Sequence, residues 1–239
     1  MIIEGKNAVS EALDAGVTIE KLCVQKGTFG DSYKRIIAMA RKANIKVVFS
    51  EKEVLDKLSV SGRHQGVLAV ATEYKYFSLE ELTSGERGNR LLVILDGVED
   101  PHNLGAIIRV ADCAGADGVV VPKHRGAGVT DTVIKTSAGA TAHVKVAKVT
   151  NTNDAIRTLK DDGYIVLAAD MNGASVYDTN LKGDIAIVIG GEGSGVHALT
   201  RKLADGVISL PQFGKVNSLN ASVATGILLY EAVRQRIGK

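Results

Sequence analysis

The sequence predicts an α/β protein in two parts, a small front module followed by a mostly parallel sheet covered by helices. Three observations carry this. Short apolar runs alternate with helix-period segments along most of the 239 residues, the pattern of strand–helix units in a parallel sheet. Apolar residues make up 45% of the chain, aromatics only 4%, and Trp is absent, so the core is built from Val, Ile, Leu and Ala, as suits strands buried on both faces. The alternation also breaks between Lys75 and Arg90, where YFSLEELTSGERGNR holds one weak apolar turn and then a polar, Gly-containing run. We therefore expect a small α/β domain over 1–74, a linker over 75–90 and the main domain over 91–239.

In the front module, GKNAVSEALDAG reads as a helix closed by Gly16 and IEKLCVQ as a strand. DSYKRIIAMARKAN is a helix begun by Asp31, IKVVFS a strand, EKEVLDKL a short helix and GVLAVAT a third strand. The main domain opens with the strand LLVILD and a helix over about 104–116, then DGVVVP, a helix near DTVIKTSAGA and the strand HVKVAKV. The helix NDAIRTLKDDG, the strands YIVLAAD and DIAIVIG, the helix HALTRKLAD, the strand GVISLP and a last helix, ILLYEAVRQRI, complete it. No internal repeat interrupts this order.

Cys23 and Cys113 lie far apart in apolar-looking segments and are expected to be buried thiols, which points to a reducing, cytoplasmic setting. MIIEGKNAVSEAL lacks the basic and apolar regions of a leader, and no apolar run approaches the ~18 residues of a membrane span. Net charge is +2, but residues 1–76 hold twelve Lys and Arg against nine Asp and Glu. An anionic partner would therefore be gripped more naturally by the front module.

Ligands of open parallel sheets sit beyond the carboxyl ends of the strands, and four loops expected there are polar and Gly-rich: DGVEDPHNLG, PKHRGAG, GGEGSG and PQFGKVNSLN. GGEGSG, Gly190 to Gly195, has the wrong glycine spacing for a dinucleotide fingerprint. It places Glu192 among glycines, either in a tight turn or at an edge that contacts a cation or hydroxyl. Asn103 reads as an N-cap. Arg109, among Ile107, Ile108 and Val110, is either an interface ion-pair partner or a fork for phosphate or carboxylate. His102 reads as a loop histidine, and no His, Cys or Asp grouping has the spacing of metal ligands. In VNSLNASVATG, Asn217, Ser218 and Asn220 offer more capping capacity than one helix end requires, which implies a ligand. The small residues Ala221, Ser222, Ala224 and Gly226 allow close helix packing.

NLGAIIRVADCAGADGVVVP, IAIVIGGEGSGV and ISLPQFGKVNSLNASVATGILLYEAVRQR resemble the three ordered motifs of the SpoU (TrmH) branch of the SPOUT RNA ribose 2′-O-methyltransferases. The likeness covers about 150 residues of the chain. The front module, with IEGKNAVSEAL and GRHQGVLAV, resembles the RNA-recognition domain of the bacterial enzymes that methylate guanosine in large-subunit rRNA. Members acting on tRNA typically lack that module, so 23S rRNA, free or in an assembling large subunit, is the expected partner. The alternatives are a tRNA ribose methyltransferase and an RNA-binding factor for ribosome assembly or antibiotic protection.

The resemblance implies S-adenosylmethionine as cofactor, a deep trefoil knot formed by 190–195, 211–218 and the last helix, and a homodimer packed through the knot and that helix. By motif position it assigns Gly190, Gly191, Gly193, Leu210 and Leu219 to the cofactor, and Asn103, Arg109, Glu192, Ser218 and Asn220 to catalysis. A guanidinium titrates above about 12, so Arg109 is read as a phosphate clamp and electrostatic stabiliser rather than a base. The chain departs from the family at PKHRGAGVTDTVIKTSAG, where His124 and Asp131 are either substrate contacts or simple variation.

Overall fold

The computed structural model describes every residue except 73, 87, 194, 216, 217, 238 and 239, so Asn217 lies outside the described residues. It divides into two units, Met1–Lys75 with Gly128–Asp131, and Tyr76–Ala127 with Thr132–Lys239.

The first unit is a four-stranded sheet of order β1-β4-β2-β3, made of β1 (Ile2–Glu4), β2 (Ile19–Gln25), β3 (Lys46–Ser50) and β4 (Val67–Ala71). Its helices are α1 (Lys6–Ala15), α2 (Asp31–Lys42) and α3 (Lys52–Leu58). Strand β1 was not expected: three residues are too few for a periodic signal, and it exists by antiparallel pairing with β4. Glu4, at its end, gathers the loop after α3 by accepting hydrogen bonds from the Ser59 and Ser61 hydroxyls and the Val60 and Ser61 amides. These donors, the Ser59 hydroxyl foremost, pull its carboxyl down to about 2.

The second unit holds a six-stranded, wholly parallel sheet. Its elements are α4 (Leu79–Thr83), β5 (Leu91–Asp96), α5 (Pro101–Cys113), β6 (Gly118–Pro122), α6 (Asp131–Thr136), β7 (Lys145–Val149), α7 (Thr152–Asp161), β8 (Ile165–Ser175), β9 (Ile185–Gly190), α8 (Ala198–Leu203), β10 (Gly206–Ser209) and α9 (Ala221–Ile237). The strand order is β10-β8-β9-β5-β6-β7. All six residues of β5 are buried, which explains why LLVILD is a continuous apolar run rather than an alternating one.

The stretch expected as a linker is folded onto this sheet. Ser78 and Glu81 form a reciprocal capping box for α4, Leu82 is buried, and Phe77 bridges Ala147. The Arg90 guanidinium donates to the Leu82, Ser84 and Glu86 carbonyls. One short apolar turn suffices because these side chains, not periodicity, anchor it. Strand β8 also outruns its expected end at Asp170, with a register shift against β10. Gly173 permits this, since a Cβ there would fall 2.5 Å from the Ile208 backbone.

Helix α9 returns against α5: Gly226 faces Val110, and a Cβ on it would lie 3.3 Å from the Val110 Cγ2. The end of α9 is pinned by Arg236, which donates to the carbonyls of Asn89, Arg90, Leu181 and Gly183. Cys23 is buried, and burial pushes its thiol upward. Cys113 is exposed, contrary to expectation, because it ends α5 on the outer side of that helix rather than on the sheet. Among the described residues no helix is long and apolar enough to cross a membrane.

Candidate active site

The chain runs outward from β5 through β6 to β7 in one direction, while β9, β8 and β10 lie on the other side of β5. The order reverses at the β5–β9 pair, and the loops that diverge there leave a crevice at the carboxyl ends. Asp96 and Gly190 face each other at that edge.

The loop after β9 folds back on itself, with Gly191 bridging Gly195. A Cβ on Gly190 would lie 2.0 Å from the Gly195 carbonyl carbon, and one on Gly191 would lie 2.0 Å from the Gly97 oxygen. Backbone approach this close excludes any side chain. Gly193 instead needs a positive φ of 82°. The turn lifts Glu192 out of the sheet edge towards two asparagines.

Asn103 is not the N-cap of α5. Asp100 has that place, accepting from the His102 amide at 3.0 Å, with Pro101 next in the helix. Asn103 is thus inside the first turn, buried, and its amide is released for other bonds. Its Nδ2 donates to Glu192 Oε1 at 3.0 Å, while its Oδ1 accepts from Asn220 Nδ2 at 2.8 Å. Asn220 Nδ2 also donates to Glu192 Oε1 at 3.0 Å. Asn220 Oδ1 faces the other way, accepting from the Ser222 amide at 3.0 Å and the Ser222 hydroxyl at 2.6 Å, so one residue caps α9 and closes the cluster.

This cluster stands at the edge of a cavity of about 730 Å³, within the size range of small-molecule sites. Eight of the ten residues assigned from the sequence to cofactor or catalysis line it: Gly190, Gly191, Glu192, Gly193, Leu210, Ser218, Leu219 and Asn220. Asn103 instead lines a neighbouring cavity of about 370 Å³, which shares Glu192 and Ala221 with the first. Arg109 lines neither and is exposed on α5. The six-residue step from Asn103 to Arg109 turns about 240° around a helix, so the two side chains leave α5 on different faces. Sequence reasoning missed Asp170 and Arg201, paired at 2.9 Å on the first cavity's wall. It also missed His197, whose Nδ1 lies 2.9 Å from Asp96 Oδ1. Acids closing LLVILD and YIVLAAD at strand carboxyl ends were the available signal for Asp96 and Asp170. Among the described residues no group of three His, Cys, Asp or Glu could hold a metal ion.

Residues 90–230 match the SpoU rRNA methylase family, and residues 2–77 match the RNA 2′-O ribose methyltransferase substrate-binding family. A Staphylococcus haemolyticus protein assigned to the TrmH family of tRNA/rRNA methyltransferases is 41% identical over 99% of this chain and 96% of its own. Among solved structures, the SpoU methyltransferase AviRb of Streptomyces viridochromogenes with bound S-adenosylmethionine has a TM-score of 0.65 and 25% identity, covering 100% of this chain and 91% of that one. An S-adenosylmethionine-bound rRNA methyltransferase from Sinorhizobium meliloti has a TM-score of 0.62 and 27% identity, covering 100% and 88%. The family matches and the S-adenosylmethionine-bound neighbours thus define the class, an S-adenosylmethionine-dependent RNA ribose 2′-O-methyltransferase. The chain belongs to the SpoU family.

The larger cavity fits that cofactor. Its wall combines apolar side chains, Ile189, Leu210, Leu219 and Leu228, with bare glycine backbone and the polar ends of Asp170, Gln212 and Asn220. An apolar slot beside exposed peptide groups and a carboxylate is what an adenosine with a charged amino-acid tail requires.

Proposed function

We propose that the chain methylates a guanosine ribose of 23S rRNA, and that the cluster of Asn103, Glu192 and Asn220 is the centre of its active site. The single observation carrying the second point is the position of Glu192: hydrogen-bonded to both asparagines, it belongs to the walls of both cavities. The rRNA assignment rests on the front module, which matches a substrate-binding family, and on the neighbour described as an rRNA methyltransferase.

The bound cofactor supplies an electrophilic methyl group on a sulfonium that departs as a neutral thioether. Everything else falls to the chain. Leu210, Leu219 and the backbone of Gly190, Gly191 and Gly193 hold the cofactor. Glu192 orients the ribose, its carboxylate fixed by the two amides, and Ser218 contacts the ligand at the cavity wall. Holding the 2′-oxygen in line supplies much of the rate.

Arg109 acts from a second copy. It lines neither cavity of its own chain and is exposed on α5, the helix that α9 packs against, and along α9 the side chains of Val223, Ile227 and Tyr230 are 50, 37 and 50% exposed. Covering those side chains with a second copy forms a dimer and brings Arg109 towards the partner's crevice as a phosphate clamp. The trefoil threading belongs to the same proposal, supported by β9 inserting between β8 and β5 and by α9 returning onto α5.

The test is transfer of labelled methyl from S-adenosylmethionine to RNA from a strain lacking the gene, fractionated into large rRNA, small rRNA and tRNA. Label in large rRNA as alkali-resistant 2′-O-methylguanosine is expected. Label confined to tRNA would overturn the rRNA assignment.

A further inference from the structure

The smaller cavity adjoins the larger one at Glu192 and Ala221 but has a wall of its own. At its wall, His197 is held twice by the buried Asp96: Nδ1 lies 2.9 Å from Oδ1, and the His197 amide donates to Oδ2 at 2.9 Å. Gly97 makes room for the ring, since a Cβ there would fall 3.2 Å from the imidazole Cε1. With Nδ1 committed to Asp96, Nε2 is the nitrogen left for a ligand, and the imidazole is half exposed. Such a fixed ring is costly to build merely to face water.

The remaining wall carries Glu99, Asp100, Glu192 and one cation, Arg125. Arg125 has a φ of 58°, a conformation that non-glycine residues seldom adopt. Carboxylates in this number repel a phosphate placed deep in the cavity but accept hydrogen bonds from a base. Among the four RNA bases, guanine alone offers two adjacent donors, N1–H and the N2 amine, on its Watson–Crick edge, and one carboxylate can accept both. Glu192 fixes the direction of entry, because the ribose must lie at the wall shared with the cofactor cavity.

We infer that the cavity between Gly97–Asp100, Arg125 and His197 is the seat of the target nucleotide, taking a splayed-out guanine against its carboxylates and His197, with the adjoining phosphate at Arg125. This rests on the methyl-transfer reading for why a nucleotide enters, but the site has a readout of its own. A guanine read on its Watson–Crick edge must be unpaired and splayed out, as in the single-stranded loops and bulges that RNA-binding proteins recognise.

The test titrates guanosine, adenosine, cytidine and uridine 5′-monophosphates into the full-length protein while the His197 ring signals are followed by NMR, assigned by their loss in His197→Gln. Guanosine monophosphate is expected to shift them at a concentration at least tenfold below that needed by the other three, and Arg125→Ala to weaken that response at least tenfold. In parallel, Arg125→Ala and His197→Gln should bind S-adenosylmethionine as the wild type does by calorimetry, while KM for RNA rises at least tenfold. No shift with any nucleotide, or equal shifts with all four, overturns the inference. Wild-type protein that binds guanosine monophosphate but methylates no RNA fraction would contradict the proposed function and leave this seat standing.

Discussion

Asn220 does two jobs with the two ends of one amide, and two substitutions separate them. Its Oδ1 caps α9 through the Ser222 amide, and its Nδ2 ties Asn103 to Glu192. Asn220→Ala removes both. Loss of an N-cap costs about 1 kcal/mol, and 1 kcal/mol lowers Tm by about 2–4 °C in a domain of 150–250 residues. The second loss adds little to stability, because Asn103 and Glu192 border cavities into which water can enter. Asn220→Ser keeps an oxygen acceptor at the cap but is too short to reach Glu192 or Asn103. It should melt within about 1 °C of wild type, since serine and asparagine are near-equal caps. Both variants, however, release Glu192 and Asn103 from the amide that fixes them at the cavity edge, so methyl transfer should fall roughly 10- to 100-fold in each, a loss of about 1.4–2.7 kcal/mol in transition-state stabilisation. The assay is scanning calorimetry beside kcat/KM for RNA. Serine retaining full activity, or serine melting as low as alanine, would refute the division of labour.

Gly191→Ala should cost about 1–3 kcal/mol and abolish S-adenosylmethionine binding by calorimetry, because its Cβ would collide with the Gly97 carbonyl. If Arg109 serves the partner's site, co-expressing Arg109→Ala with Asn220→Ala restores roughly a quarter of wild-type activity by random pairing in a two-fold dimer. Two inactive homodimers whose mixture stays inactive would place Arg109 elsewhere. Lys148 lies over the Tyr76 ring at 4.0 Å, and burial, with Lys123 nearby, drags its ammonium down to about 8. Since the folded value is the lower one, stability held back below pH 8 is recovered as pH rises from 8 towards its ordinary value. Lys148→Met should therefore be more stable than wild type at pH 7, and the gap should close by about pH 10.5 in urea titrations. Glu4 has the opposite sign: its carboxyl is depressed, so the anchoring of the loop after α3 is complete above the ordinary carboxylate value and is lost as pH falls through about 2. Glu4→Gln should flatten that acid limb, read by hydrogen exchange at Val60 and Ser61.

Much of the fold was legible because β5, β6 and β9 are continuous apolar runs separated by helix-period segments, a pattern that burial on both faces imposes. Strand β1 and the docked segment 76–90 were not, because three-residue pairing with β4 and the carbonyl contacts of Arg90 depend on partners far along the chain. The run of glycines after β9 was visible in the sequence, but that Gly190 and Gly191 lie against the Gly195 and Gly97 backbones depends on how the loop folds back. The cap was misplaced because Asp100 and Asn103 are equally good capping residues, and only Pro101, fixed at the first helical position, discriminates between them. The pair of His197 with Asp96 spans about a hundred residues and could be seen only once β5 and β9 were side by side.

Whether the chain methylates 23S rRNA through the Asn103–Glu192–Asn220 cluster is decided by mass-spectrometric mapping of that RNA from cells lacking the gene and from the same cells carrying wild type or Asn220→Ser. One 2′-O-methylguanosine should disappear on deletion, return with wild type and stay largely absent with Asn220→Ser. Identical ribose methylation of 23S rRNA in all three strains would contradict that reading.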